Sequence, residues 1–516
     1  MFFVGINDGN VPKKADSRSV LSESDREYLE DKGIVMSASV REKAFTQRFY
    51  LYLIMTKSAE KLYMSYAVKN SEGAALMPSY IIRSMRKMFS HCLKLSYKDT
   101  AQQNSYVTIP RAANSFDNTE IAANVDEDII DSLTGGRLVG SVTSFENFAE
   151  CPLRYYLRYG VDLKEREEFT FSPVNFGVVL HAVIREVCDE IKKNGESYYL
   201  ISEEKRREMV KRSVSAITDI YQNSILKDSS RNSFMIKRME DLADRTIWAM
   251  GEQLKCGDFV PFVFEHKFNM EVGDGDRKQL MSGTIDRVDI CENDTDVYVR
   301  IIDYKTGKKD FNIVKTYYGI DIQLMVYMEA AMKLVAKMRP GKNVLPAGVF
   351  YYNISDPIVS ATNESAEEIE DKIKGELRLK GMVNSDKDIA EKMDNTEGTS
   401  LNIPVSRKAD GGFDSRRSKV MNTEQFNMLG RFVDVRAVDT ADRIAGGDIR
   451  RSPYKDGQFS SCDRCPYGAV CGFSVDLPGC NYRKLKKFDD EVLWNNIKEG
   501  VDENGKKMDT GAEERD

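Results

Sequence analysis

The chain has 516 residues, 41% hydrophobic and 30% charged, with a formal net charge of −7. That length allows two to four domains with packed cores, no apolar run reaches the ~18 residues a membrane helix needs, and the acidic balance excludes a polycationic nucleic-acid coat though not a local basic groove. The start, Met-Phe-Phe-Val-Gly, lacks the basic and small-residue pattern of a secretory signal, which predicts a cytoplasmic protein.

Taken in chain order, residues 1–5 form an apolar run feeding the turn-like Asn7-Asp8-Gly9, as a buried strand does. An amphipathic stretch at 39–56 leads into a strand-like 62–66. A chain beginning in mid-strand leaves an edge unpaired, which predicts the C-terminal part of something longer. Helical spacing returns at 79–89, and a polar, acidic stretch ending Val125-Asp126-Glu127-Asp128 reads as a linker. Order resumes at 141–159, with Ser144 as N-cap and Pro152 in the first turn of the next helix. Helices are predicted over 175–192, 202–225, 317–337 and 423–445, and strands over 262–271, 280–290, 297–306 and 348–354. The charged segment 364–394 reads as a helical pair, 397–419 as loop, and the tail after residue 498 as disordered. The domains expected are 1–70, a connecting helix and linker over 71–137, a main domain over 138–498 and a tail over 499–516.

Two of those strands carry acids. Asp286 lies in Gly283-Thr284-Ile285-Asp286-Arg287-Val288-Asp289, and Asp303 in Ile301-Ile302-Asp303-Tyr304-Lys305-Thr306-Gly307. The turn formers Glu292-Asn293-Asp294-Thr295-Asp296 separate them. A hairpin turning about their centre sets Asp286 opposite Asp303, with Cβ atoms ~4.5–5.5 Å apart. Like charges so placed repel unless a cation sits between them. Strand alternation puts Lys305 on the face of Asp303, below the apolar row Val297, Val299 and Ile301. That row argues against a solvated hairpin, because unpaired charge at the end of a buried row is costly. Two convergent carboxylates and a lysine suit Mg²⁺-dependent phosphodiester hydrolysis: oxygen ligands hold a hard cation, and the ammonium neutralises developing charge. His181, in the apolar helix segment Phe176-Gly177-Val178-Val179-Leu180-His181, and the helical pair Gln323 and Tyr327 are further candidates. Glu265 is a weaker one, since a solvent-facing strand glutamate explains it equally well.

Nine cysteines and three histidines complete the inventory, and a site built on several histidines is thereby disfavoured. Cys462, Cys465 and Cys471 form Cys-x2-Cys-x5-Cys. Three thiolates leave a metal site one ligand short, and Cys480 or the distant Cys151, which shares with Cys465 a following proline, can supply the fourth. A structural zinc site of four thiolates and an iron–sulfur cluster both satisfy this spacing.

Gly283-Thr284-Ile285-Asp286-Arg287, Asp303-Tyr304-Lys305-Thr306-Gly307 and Gln323-x3-Tyr327, preceded by a helical His181, resemble the RecB-like branch of the PD-(D/E)XK nucleases. The cysteines before and after this core resemble its iron–sulfur members. Ser452-Pro453-Tyr454, the cysteine triplet, Leu477-Pro478-Gly479-Cys480-Asn481-Tyr482-Arg483 and Leu379-Lys380-Gly381-Met382-Val383 are similar to the AddB-type subunits of bacterial AddAB helicase–nucleases. Val4-Gly5-Ile6-Asn7-Asp8-Gly9 and Met55-Thr56-Lys57-Ser58-Ala59 resemble the end of a superfamily-1 helicase-like core.

The resemblance implies an α/β chain: the remnant of a helicase-like domain, then a restriction-endonuclease-like domain whose mixed central sheet is flanked by helices and closed by a four-cysteine cluster. It implies that His181, Asp286, Asp303 and the Tyr304 carbonyl bind Mg²⁺, that Lys305 is the catalytic lysine, and that Gln323 and Tyr327 position the site or DNA. It implies a 4Fe–4S cluster on Cys151, Cys462, Cys465 and Cys471, clamping a loop of about 310 residues, and a heterodimer with an AddA-type helicase–nuclease that processes DNA ends. Single-stranded DNA would pass Arg154, Arg158, Arg450 and Arg451. A phosphate-binding Gly-x4-Gly-Lys-Ser/Thr loop is missing and Lys57 stands where active helicases carry an arginine, so no ATPase residue is expected. The family's hotspot-reading region is missing too. The rivals are a free-standing iron–sulfur nuclease and a non-catalytic DNA-binding scaffold.

Overall fold

The main sheet owes its existence to three long runs of β-branched and aromatic residues joined by short turns. A computed structural model describes residues 1–13, 22–34, 38–69, 75–89, 124–126, 128–130, 139–164, 173–220, 230–272, 279–360, 364–475 and 480–502. Most of the expected linker, Leu477-Pro478-Gly479 and the tail from 503 onward lie outside these. The chain divides into two units, Met1–Ile121 with Phe473–Asn481, and Ala122–Gly472 with Tyr482–Asp516.

In the first unit, β1 (Phe2–Phe3) pairs in parallel with β2 (Tyr63–Met64), so the opening strand has a partner. Helices α1 (Glu23–Asp31), α2 (Val40–Thr56) and α3 (Tyr80–Met88) accompany them. Ser22 and Ser39 close capping boxes on α1 and α2. The Asn7 side chain ties the unit together, donating to the carbonyls of Ala67 and Met77 and accepting from the Ala67 amide.

The second unit opens with β3 (Val139–Ser141), α4 (Val142–Glu150) and the short α5 (Pro152–Tyr155). Ser141, not Ser144, is the N-cap of α4: its hydroxyl accepts the Ser144 amide. Pro152 opens α5 as expected. Three helices follow, α6 (Pro173–Lys193), α7 (Glu203–Ile220) and α8 (Ser230–Lys255). Then come β4 (Val260–Val272), β5 (Gln279–Glu292), β6 (Asp296–Lys305), α9 (Ile313–Tyr317), α10 (Gln323–Met338) and β7 (Asn343–Asn353). The segment expected to be a helical pair contains a strand: α11 (Ala366–Glu376), β8 (Lys380–Asn384), then α12 (Lys387–Met393). β9 (Val420–Met421), α13 (Thr423–Ala445), β10 (Tyr454–Asp456), β11 (Phe459–Ser460), α14 (Gly468–Cys471), β12 (Arg483–Lys484) and α15 (Asp490–Asp502) complete the unit. The order expected to end at residue 498 therefore continues to Asp502.

The seven-stranded mixed sheet runs β3-β5-β6-β7-β8-β9, with β4 also paired to β5. β6 is buried on both faces. Val297, Val299 and Ile301 meet α10, α13 and α15 through Leu324, Val326, Phe426, Phe432 and Ile497. Tyr298, Ile302 and Tyr304 meet α6, α7 and α8 through Leu180, Val183, Met209, Val214 and Met250. Period-two alternation therefore projects Asp303 and Lys305 toward the α10 side.

The candidate active site

The β5–β6 hairpin has the register expected from its turn, pairing Glu292 with Val297, Ile290 with Val299 and Arg287 with Ile302. Beyond that last pair the strands part. β5 instead takes β3 as neighbour, from Ser282 opposite Ser141. The parting leaves the Tyr304 amide without a ladder acceptor, and Asp286 supplies one: its Oδ2 accepts that N–H at 2.7 Å. The two acids therefore share one cleft, at the point where backbone pairing fails.

Asp286 reaches the opposite way as well. Its Oδ1 lies 3.5 Å from His181 Nδ1, and Glu265 Oε1 lies at the same distance from that nitrogen. His181, Glu265 and Asp286 each offer one ligand atom within 4.8 Å of the others, the one such group among the described residues. Burial opposes protonation of His181, but hydrogen bonds to Asp286 and Glu265 and their charges outweigh it and push the imidazole up to about 10. Glu265 is not solvent-facing as its strand position suggested. It sits where β4 pairs Phe264 with Arg287 and His266 with Ile285, and it holds φ at 47° in mid-strand. A non-glycine residue there stores strain, which persists where surrounding structure imposes it and clusters at functional sites.

On the α10 side, Asp303 is 1% exposed. Its Oδ1 accepts from Gln323 Nε2 at 2.9 Å. Its Oδ2 is buried without a directed hydrogen bond and faces the Lys305 ammonium at 2.5 Å. Burial raises the Asp303 carboxyl up to about 7, and the charge of Asp286 adds to this against the pull of Lys305. Lys305 in turn donates to Gln323 Oε1 at 3.0 Å. Gln323 Nε2 also donates to the Tyr327 hydroxyl at 2.9 Å, so residues four apart on one helix face act together. The structure thus brings together His181, Asp286, Asp303, Lys305, Gln323 and Tyr327. The Tyr304 side chain points to the other core, where its ring meets His181 edge-on at 5.9 Å. Two carboxylates and an imidazole with ligand atoms within 4.8 Å of one another, next to a third, buried acid whose carboxyl feels the charge of Asp286, are a donor set that fits a hard divalent cation.

Below this group the sheet carries a dry ionic triad. Asp289 accepts from Arg287 Nε and Nη2 at 2.7 and 2.6 Å and from Arg300 Nε at 2.8 Å, all three residues at most 1% exposed. The triad fixes the strand residue next to Asp286.

The cysteines gather elsewhere in the same unit. Cys151 is the buried C-cap of α4, and amides of Leu153, Arg154 and Ser452 bond to its sulfur. Burial pushes the Cys462 thiol up to about 11, and the proximity of Cys151, Cys465 and Cys471 adds to the rise while the Tyr482 hydroxyl opposes it. Four thiols whose charges disfavour one another, with amides aimed at one sulfur, suit a positively charged metal group. Hydrogen bonds also join the two segments: Leu153 N to the Arg450 carbonyl at 3.2 Å and Tyr467 Oη to the Leu163 carbonyl at 2.8 Å. Of the four arginines expected along the DNA path, Arg154 pairs with Glu150, Arg450 with Asp448, Arg451 donates to the Cys471 carbonyl, and Arg158 lies over the Tyr159 ring.

Residues 140–472 match the family model of the PD-(D/E)XK nuclease superfamily. The chain belongs to this superfamily, a class defined by a mixed sheet presenting acids and a lysine from adjacent strands. Over nearly its whole length it is similar to proteins named as the B-type subunit of an ATP-dependent helicase/deoxyribonuclease. That of Clostridium acetobutylicum is 31% identical, covering 98% of this chain and 48% of the relative. That of Lachnoclostridium phytofermentans is 31% identical, covering 100% and 48%. That of Caldanaerobacter subterraneus subsp. tengcongensis is 30% identical, covering 100% and 49%. The chain thus spans about half the length of the curated relatives it matches. Among the described residues, no helix is long and apolar enough to cross a membrane.

Glu146 and Lys309 were not anticipated. The first reaches the site from α4, 176 positions upstream of Ile322, a separation no periodicity reveals. The second, 3.1 Å from Asp321, sits on an irregular stretch after β6.

Proposed function

We propose that this chain is the nuclease module of an AddB-type subunit, a Mg²⁺-dependent DNA exonuclease that trims broken ends in the cytoplasm beside an AddA-type helicase partner. The observation that carries the proposal is the cleft between β5 and β6, where His181, Glu265 and Asp286 each offer a ligand atom within 4.8 Å of the others and the charge of Asp286 acts on the buried Asp303 carboxylate, itself paired with Lys305. His181, Asp286, Asp303 and the Tyr304 carbonyl would hold Mg²⁺, with Glu265 joining them. Mg²⁺ supplies charge neutralisation at the scissile phosphate and a lowered pKa for attacking water. The chain's own groups do the rest. Lys305, oriented by Asp303 and Gln323, presents a fixed positive charge where the phosphate's charge grows. Tyr327 and Gln323 hold that lysine and Asp303 in one geometry, so no reorganisation is needed during the reaction. The names of the relatives, which pair helicase and deoxyribonuclease, favour DNA as substrate and a multisubunit setting.

Cys151, Cys462, Cys465 and Cys471 would hold one 4Fe–4S cluster, serving as a clamp because the hydrolysis requires no electron transfer.

The test is degradation of 5′- or 3′-labelled single-stranded DNA by the purified chain with Mg²⁺ or EDTA. Wild type should digest the strand only with Mg²⁺, and Asp303→Ala and Lys305→Ala should each lose at least about 100-fold. Equal digestion by all three refutes the assignment, and tight binding without cutting by wild type supports a scaffold instead.

A further inference from the structure

The four leading N–H groups of a helix need acceptors, and a helix end buried without them is unstable. Helix α10, which opens with Gln323, has no side-chain cap of its own: Ile322, at the N-cap position, offers only an apolar side chain. The acceptor comes from α4. Glu146 Oε1 accepts both the Ile322 amide at 2.9 Å and the Gln323 amide at 3.0 Å. A carboxylate at a helix N-terminus is also favoured by the helix dipole.

This remote cap grips the residue on which the site converges. Gln323 makes three side-chain hydrogen bonds, to Asp303, Lys305 and Tyr327, and its backbone position is set by the amide that Glu146 holds. Glu146 itself sits on a rigid base. α4 begins on Ser141, whose strand β3 is paired to β5, and ends at Cys151. Lys309 and Asp321 are the charged groups facing its carboxylate. Lys309 pairs with Asp321 at 3.1 Å, and Asp321 accepts from the Tyr351 hydroxyl at 2.6 Å.

We propose that Glu146 is a positioning residue for the phosphodiester hydrolysis: by capping α10 across the fold it holds Gln323, and through it Asp303 and Lys305, in the reactive arrangement. The inference rests on the nuclease reading above. A geometric role requires a hydrogen-bond acceptor and not a negative charge, so the glutamine variant should serve where alanine fails.

The experiment compares full-length wild type with Glu146→Ala and Glu146→Gln. Hydrogen exchange by mass spectrometry follows the peptide spanning 318–325, and strand degradation with Mg²⁺ gives kcat and KM. For Glu146→Ala, exchange should speed up at two amides and kcat should fall about 10–100-fold with KM within about twofold, as expected of a misplaced catalytic group. Glu146→Gln should keep wild-type exchange and a kcat within about threefold. If Glu146→Ala proves unfolded by circular dichroism, Glu146→Asp, one methylene too short, should reproduce its behaviour in folded protein. Wild-type exchange in the alanine or aspartate variant, faster exchange with an unchanged kcat, or equal losses in the alanine and glutamine variants each overturn the proposal. A wild type that cuts no DNA refutes the nuclease reading, while the exchange arm still decides whether Glu146 caps α10.

Discussion

Replacing Asp289 by asparagine preserves shape and removes one charge at a point where two guanidiniums depend on it. Asp289 is 0% exposed and accepts three N–H donors, two from Arg287 and one from Arg300. Each charge-assisted hydrogen bond contributes ~1.5–3 kcal/mol. Asparagine keeps one acceptor oxygen but turns an amide donor toward the arginines. Breaking one partner of a buried ion pair costs ~3–5 kcal/mol, because the charge left behind has no water. Against a domain stability of ~5–15 kcal/mol that is a large fraction. At ~2 °C per kcal/mol for a unit of this size, Tm should fall by roughly 6–10 °C. The comparison that isolates the mechanism is the triple variant Arg287→Met, Asp289→Leu, Arg300→Met, which removes the charges together and should lie closer to wild type than Asp289→Asn does. Thermal unfolding followed by circular dichroism supplies both numbers. An Asp289→Asn protein melting within about 2 °C of wild type, or a triple variant melting below it, refutes the reasoning.

Asp434 on α13, pushed up to about 8 by burial and by its hydrogen bond to Glu329, keeps its proton in the folded chain at pH values where the unfolded chain has lost it. Its folding contribution is therefore lost as pH rises from about 4 toward 8, and Asp434→Asn should raise Tm more at pH 9 than at pH 5; an equal shift at both contradicts this. Cys151→Ala should release iron and sulfide and lower stability by at most about 5–6 kcal/mol, the chain-entropy value for a closure of about 310 residues, since hydrogen bonds also join the two segments. Metal analysis finding one zinc and no sulfide in wild type would leave the clamp and overturn its chemistry. In Gly283→Ala the new Cβ would lie 2.7 Å from Phe268 Cε1 and 3.1 Å from Tyr327 Cε1, so overpacking should cost ~1–3 kcal/mol and displace Tyr327 from Gln323. Full activity with unchanged Tm would show that the cleft yields more readily than its packing suggests.

The reach of sequence reading follows the range of the interactions involved. The hairpin register was legible because turn formers between two alternating runs admit one centre, and observed pairs such as Val288 with Ile301 keep to it. The burial of Asp303 was legible from the apolar row above it. Helix α13 matches its expected span because Asn422 and Gln425 form a capping box. α8 escaped although Met239, Leu242, Ala243, Ile247, Met250 and Leu254 line one buried face, a helical period hidden in a charged segment. β8 escaped because a five-residue strand between two charged helices carries little periodicity of its own and is held by pairing with β7 and β9. Glu265 was undervalued because its left-handed backbone turns it toward His181, which alternation does not foresee. Glu146 is a wholly tertiary feature.

On the reading proposed above, the acids of neighbouring strands tolerate one another because they share a divalent cation. The most direct measurement is Mn²⁺ binding, read as loss of the free-ion electron paramagnetic resonance signal on adding protein, for wild type, Asp286→Asn and Asp303→Asn. One ion should bind in the cleft of wild type and be lost in both variants. Undiminished binding in the two variants would contradict it.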